Sequence, residues 1–386
     1  MTAPGSTVPL PARRIDAARQ LLRRHHLRDS FALNRQPSLR NAVLAGSQAA
    51  ITMAVALPLV HVSPWSHLIG FAALGALVAL FGRFAPQGRR NRILLLSGFW
   101  QVLAVLGMSM AAWLGAPLVL QFVLLALACG GFFLAAATSR LGPPGPLIFV
   151  FAAGAAMGHV GTLQQVAERA AATAAVAALA LAVCALTETL RHPATPERRF
   201  PVEPLQPLAD RLIAAGRIAL GAAVAIFASH AVGAAHPAWA ALGALAVMQG
   251  PQLHINLSRA LQRMAGTAVG ALLAWLVLHQ APSVWSLIAV LTALQFATEM
   301  IIGTNYALGQ ILVTPMALLM SHLAAPDAAG AAMAPERVLD TLLGVSIGLV
   351  AAVLLSTLDD RRDLARRQLA RDAGRTGGAG LHIPGR

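Results

Sequence analysis

Few side chains in this sequence can do chemistry, and some of them recur. Glu168 and Arg169 open the stretch ERAAAT, and Glu336 and Arg337 open ERVLDT 168 residues later. Of 15 Asp and Glu residues, only Glu168, Glu299, Glu336 and Asp340 lie in or against a long apolar run. An ionisable residue at depth in a bilayer costs at least about 2.5–3.5 kcal/mol on insertion scales, so each is a functional candidate by default. Arg337 and Asp340 are three apart and share a helical face. One reading makes them a structural ion pair that locks the last helix. In the other, Arg337 meets an anion near the outer exit and Asp340 keeps it from being held too tightly.

Glu299 is followed by Gly303, Asn305 and Tyr306, the single tyrosine of the chain. Glycine there suggests a helix break whose free backbone N–H groups attract anions. The alternative is a carboxylate snorkelling to the interface beside an aromatic anchor. Thr314-Pro315 predicts a second interruption, tolerated at depth where neighbours or water satisfy the loosened backbone. Arg259 and Arg263, four apart, open another apolar run. They read either as ordinary topology signals or as a basic vestibule that concentrates anions at the cytoplasmic mouth. His61, His159, His230 and His322 fall near outer helix ends, where packing is the commoner role than proton relay.

Several chemistries have no signature. Cys129 and Cys184 sit in apolar runs, where a thiol behaves as a small hydrophobe, and neither has a metal-ligand neighbour at useful spacing. The chain contains no lysine, hence no phosphate-binding loop of the Walker type. No nucleophile–base cluster points to an enzyme, and no cofactor is expected.

The elements that must position these groups follow from composition. The 386 residues are 57% hydrophobic and 11% charged, with mean hydropathy +0.66. A soluble domain carries about 25% charged residues, so the sequence predicts an all-α integral membrane protein embedded in a lipid bilayer. All 29 basic residues are Arg, giving a net charge of +14. Nucleic acid is not the expected partner, because aromatic and basic residues are not interleaved on any polar segment. The arginines crowd instead between apolar runs, in the pattern that fixes membrane orientation.

About twelve crossings are expected, with cores at 41–60, 66–82, 93–112, 117–138, 146–160, 170–187, 213–233, 238–251, 264–279, 285–302, 306–323 and 338–357. With both termini cytoplasmic, Arg83, Arg89, Arg90, Arg92, Arg140, Arg191, Arg198, Arg199, Arg211, Arg259 and Arg263 fall on one side, leaving Arg169 and Arg337 outside. AALGAL at residues 72–77 recurs at 240–245, and Gly98 and Gly266 obey the same 168-residue offset. Low complexity is one explanation. The other is two tandem six-helix repeats in parallel orientation: 41–187 and 213–357, flanked by a basic N-terminal helix (1–40), a cytoplasmic linker (188–212) and a basic tail (358–386).

The second half resembles a known family. HPAWAALGALAVMQGPQLHINLSRALQRMAGTAVGALL (236–273), ATEMIIGTNYALGQILVTPMALL (297–319) and ERVLDTLLGVSIG (336–348) are similar to the fusaric acid resistance family of aromatic acid exporters. The matching marks are Trp239, Arg259 with Arg263, Glu299 before Asn305-Tyr306, Thr314-Pro315, and Arg337 with Asp340-Thr341. The first half matches only through the repeat, with Ala172 where Asp340 stands. The resemblance implies an inner-membrane protein that exports organic anions such as aromatic carboxylates, driven by membrane potential or a proton gradient; plant malate channels look like distant relatives. It is compatible with a homodimer, and a periplasmic adaptor is a further candidate partner. Many members carry a sizeable soluble domain, from which this sequence departs. The alternative is a membrane scaffold or assembly subunit without transport activity of its own.

Overall fold

The structure is a computed structural model. It describes residues 38–366 apart from 87, 194, 196–199, 201–204, 251, 325–332, 359, 363 and 365, together with 14, 15, 33 and 36. Most of the expected N-terminal helix and tail, and Arg198 and Arg199 of the linker, lie outside the described residues.

Among the described residues there are helices and no strands, as the composition predicts. The chain runs through α1 (Leu39–Val62), α2 (Ile69–Ala76), α3 (Arg90–Trp113), α4 (Leu118–Ser139), α5 (Leu147–Ala155) and α6 (Leu163–Leu186). It continues through α7 (Leu208–Ala231), α8 (Ala238–Met248), α9 (Leu253–His279), α10 (Val284–Ile301), α11 (Tyr306–Ala324) and α12 (Met333–Leu354). Nine of these, among the described residues, are long and apolar enough to cross a membrane. The other three, α2, α5 and α8, fall short of the roughly 20 residues a lipid-exposed crossing needs. Their surroundings explain the shortness: every residue of α2, and every residue of α8 after Ala238, is buried in protein. Backbone that breaks from a helix at membrane depth is tolerated where protein covers it.

Local chemistry sets several ends. Ser38, Thr162 and Ser283 accept hydrogen bonds from N–H groups of the first turns of α1, α6 and α10. Before α11, Asn305 Oδ1 accepts from the Ala307 and Leu308 N–H groups at 2.8 and 3.3 Å. These are the donors that the sequence leaves free for an anion, and the cap occupies them.

The 168-residue offset carries the bounds of α1 to within one residue of α7, and those of α6 to within two of α12. Packing follows the same relation. Helix α1 lies against α10 and α7 against α4, while α2 meets α11 and α8 meets α5. Helices therefore exchange partners across the two halves. Arg83 and Glu299 add an ion pair at 2.9 Å to this junction, with Glu299 buried and Arg83 partly so, and Arg83 Nη1 also donates to the Glu299 carbonyl. So Glu299 does not snorkel; the helix break that Gly303 suggests follows it, between Ile301 and Tyr306.

Small residues allow the closest approaches. At Gly344 a Cβ would run into the Ala240 carbonyl oxygen, which fixes α12 against α8. At Gly270 it would lie 2.8 Å from the Thr314 Cβ, which fixes α9 against α11. At the arginine-rich end, Arg90 is buried, with Nη1 3.0 Å from Glu188 Oε2 and Nη2 2.5 Å from Gln48 Oε1. Arg191 donates to the other Glu188 oxygen at 2.5 Å. Burial raises the Glu188 carboxyl, but the hydrogen bonds from Arg191 and Arg90 outweigh it and hold the group below the usual carboxylate range.

Two outcomes follow for the purified protein in detergent. Gly344→Ala lowers the unfolding temperature, by the equivalent of about 1–3 kcal/mol of overpacking, whereas Gly107→Ala, whose added Cβ meets nothing within 4 Å, does not. A carboxyl with a lowered folded pKa stabilises fully above its unfolded value, about 4.3, and loses that contribution as pH falls through the folded one. Glu188→Gln is therefore less stable than the parent at pH 7, and the gap closes on acidification below about pH 4, as thermal unfolding at each pH will show.

Candidate anion site between α7, α8, α9, α11 and α12

Arg337 lies in the second turn of α12 and is 4% exposed. Its guanidinium stands 5.1 Å from the centre of the Trp239 ring at the start of α8. Nε and Nη1 have no hydrogen-bond partner. Asp340, one turn on, is also buried; its Oδ1 accepts from the Ser229 hydroxyl of α7 at 2.6 Å and its Oδ2 has no partner. The two side chains form no ion pair with each other. The structural lock that their spacing suggests is not made.

Arg263 sits in the third turn of α9 and is likewise 4% exposed. Nη1 donates to the Tyr306 hydroxyl at 3.2 Å and to Gln310 Oε1 at 3.4 Å, and Nε has no partner. Among the described residues neither Arg263 nor Arg337 forms an ion pair with a carboxylate. Yet they lie close enough that Arg263, Asp340 and Tyr306 are the charged or titratable groups whose fields reach Arg337. The same helices carry buried hydroxyls without partners: Thr267 on α9, Thr314 on α11 and Thr341 on α12.

Desolvating a charge costs several kcal/mol even after relaxation, unless a counter-charge and hydrogen bonds repay it. Here neither guanidinium group has an ion-paired carboxylate among the described residues, and three of their nitrogens have no hydrogen-bond partner. Fixed positive charge with unused donors in a low-dielectric site is an arrangement that attracts an anion bearing several acceptor atoms. Formal charge is one net positive, which suits a monoanion. All three charged groups are buried, so any passing ligand needs a helix movement to reach them.

The expected residues divide between this cluster and elsewhere. Arg337 and Asp340 share α12, and Arg263 and Tyr306 bond each other between α9 and α11. Thr314 faces Gly270 of α9, and the interruption expected at Thr314-Pro315 does not occur, since α11 runs through Pro315 from Tyr306 to Ala324. Arg263 belongs to the interior and not to a mouth; hydropathy ends the apolar run at the charge, but the helix itself begins at Leu253. Arg259, one turn earlier, is only half-buried. Asn305 caps α11, and Glu299 is held by Arg83. Sequence reasoning does not find Ser229, Thr267 or Gln310, which are polar residues of common types with no local motif.

Glu168 and Arg169 form a partial twin. Arg169 lies 5.0 Å from the Phe71 ring centre as Arg337 lies over Trp239, and Phe71 and Trp239 are themselves 168 apart. Glu168 faces His67 at 3.4 Å as Glu336 faces His236 at 2.9 Å. That answers why the acidic–basic doublet recurs: the acid holds a histidine before the short helix, and the base covers an aromatic ring within it. The rest is missing, because Leu95, Ala172 and His61 stand at the offset positions of Arg263, Asp340 and Ser229.

Comparison with known proteins places this cluster. The uncharacterized membrane protein YvaC of Bacillus subtilis (strain 168) is 36% identical over 114 residues, which are 30% of this chain and 18% of that protein. This chain therefore aligns with about a fifth of that relative's length. No solved structure matches the chain. Residues 222–351, which hold Ser229, Trp239, Arg263, Gln310, Thr314, Arg337 and Asp340, are similar to the family described as fusaric acid resistance protein-like.

Proposed function

We propose that the protein is an efflux transporter of the inner membrane for small organic anions, aromatic carboxylates foremost, with both termini cytoplasmic and Arg263 and Arg337 holding the anion. One observation carries the reading: two guanidinium groups are buried on helices that pack against each other, α9 and α12, with unused donors and no ion-paired carboxylate. The family match over residues 222–351 supports the efflux class. A carboxylate accepts at both oxygens, which matches donors from two helices. Tyr306 and Gln310 support Arg263 at one edge, while Asp340 limits the net charge so that release remains fast. Asp340 is itself fixed by Ser229.

Orientation has support in the arrangement of charge. Successive helices alternate direction. Arg83, Arg90, Arg191, Arg211, Arg217 and Arg259 then lie at one end of the bundle, whereas Arg169 and Arg337 lie toward the other. Basic loops stay cytoplasmic, so Arg337 faces the outer side. An inside-negative potential contributes about 2.3 kcal/mol per 100 mV to each negative charge that leaves, enough to export a monoanion against a gradient without a coupled ion.

Proteoliposomes loaded with benzoate, 4-hydroxybenzoate or acetate, with protein-free vesicles as the leak control, test this. The wild-type chain releases at least one of the aromatic acids faster than leak under an outward-driving potential. Arg337→Ala loses about tenfold or more, the worth of a charge-assisted hydrogen bond of roughly 1.5–3 kcal/mol, and Arg337→Lys retains part. Full release by a well-folded alanine variant contradicts the assignment. Salt separates the two α9 arginines, since screening acts on exposed charge and little on buried charge. Arg263→Ala weakens half-saturation at every ionic strength, while Arg259→Ala matters only at low salt; equal salt dependence for both would contradict the placement.

A further inference from the structure

Two side chains contact the Trp239 ring. The Arg337 guanidinium lies over it at 5.1 Å, and the ring also stacks with His236 at 4.6 Å between centres and 12° between planes. His236 is in turn held twice by Glu336: Nδ1 lies 2.9 Å from Oε2, and the backbone N–H donates to Oε1 at 2.7 Å. Trp239 is 5% exposed and begins α8, the short helix buried in the second half. Glu336 and Arg337 are adjacent, so the chain of contacts leaves α12 at Glu336, crosses His236 and Trp239, and returns to α12 at Arg337. It is a closed loop of four side chains.

Such a loop does what a lone buried arginine needs. A guanidinium on a flexible stem, with no ion pair and with Nε and Nη1 unpartnered, is not held in its plane by those donors. An aromatic face attracts it without using its N–H donors, which then stay directed at a ligand. An acid pairing directly with Arg337 would consume those donors. In the first half Arg169 lies over Phe71, so the same job is done there by a smaller ring.

We propose that Trp239, clamped by the Glu336–His236 pair, is the positioning residue that presents Arg337 to the anion, setting affinity without touching the anion itself. This rests on the efflux reading above. A positioned guanidinium pre-pays the ordering that binding otherwise requires, so the loss falls on half-saturation more than on maximal rate.

Two measurements on the full chain keep this separate from the transport reading. In proteoliposomes, with the aromatic acid that the wild type releases, Trp239→Ala raises the half-saturation concentration several-fold, by roughly tenfold at most, with maximal rate changed less than twofold. Trp239→Phe restores most of the affinity, because phenyl keeps the face. Equal defects in the two variants, or wild-type half-saturation in Trp239→Ala, overturn the proposal. The second measurement needs no substrate: unfolding temperatures of Trp239→Ala, Arg337→Ala and the double variant. If the ring holds the guanidinium, the double variant falls clearly less than the two single shifts combined; strict additivity means that the residues are uncoupled and overturns it. Should the wild type release none of the acids, the efflux reading fails while this thermal cycle still decides the clamp.

Discussion

Two positive charges buried on packed helices without ion-paired carboxylates constrain the rest of this molecule. Arg263 and Arg337 come from different helices, α9 and α12, and their proximity is tolerable only because the surroundings are polar in detail while apolar in bulk. Tyr306 and Gln310 accept from one, Trp239 offers its face to the other, and Asp340 adds the single local negative charge. A purely structural solution exists in the same protein for comparison. Arg90, equally buried, has Glu188 and Gln48 as direct partners, and Arg83 has Glu299. Those arginines are neutralised; Arg263 and Arg337 are not.

The two halves make the same point by difference. The short buried helix, the aromatic residue near its start and the arginine over that ring appear in both. So does a glutamate that holds a histidine. What only the second half possesses is the deeper charge, Arg263, and the acid–hydroxyl pair of Asp340 with Ser229. A shared scaffold explains the first set, because a helix too short to cross needs both ends tied down inside protein. The second set has no scaffold role of that kind, which is why the anion site is assigned there.

Much of the helix pattern was readable in the sequence, because crossing lipid imposes length and polarity on every exposed span. The apolar run at 41–60 becomes Leu39–Val62 and that at 285–302 becomes Val284–Ile301. Departures occur where protein replaces lipid as the surroundings. Helix α9 begins well before the expected residue 264, carrying Arg263 into the interior, because buried partners make a charge acceptable where hydropathy alone stops the run. The burial of Asp340 was legible from its place inside the apolar run at 338–357, whereas Arg337, which that run leaves at its outer edge, is buried by the helix that begins at Met333. Their failure to pair was not, since i,i+3 spacing gives only opportunity, and Ser229 is 111 residues away. Glu299 gave no local sign of Arg83, 216 residues distant, and the Asn305 cap is visible only once α11 is known to start at Tyr306.

A ligand that binds the folded state alone raises the unfolding temperature in proportion to the logarithm of its saturation. The most direct measurement is therefore the unfolding temperature of the purified full chain against 4-hydroxybenzoate and benzoate at constant ionic strength, for the wild type and for the Arg263→Ala/Arg337→Ala double variant. The account predicts a concentration-dependent rise in the wild type with at least one of the two acids, and a flat response in the double variant. A wild type that does not respond to either acid, or a double variant that responds equally, would mean that the buried guanidinium pair does not receive aromatic carboxylates.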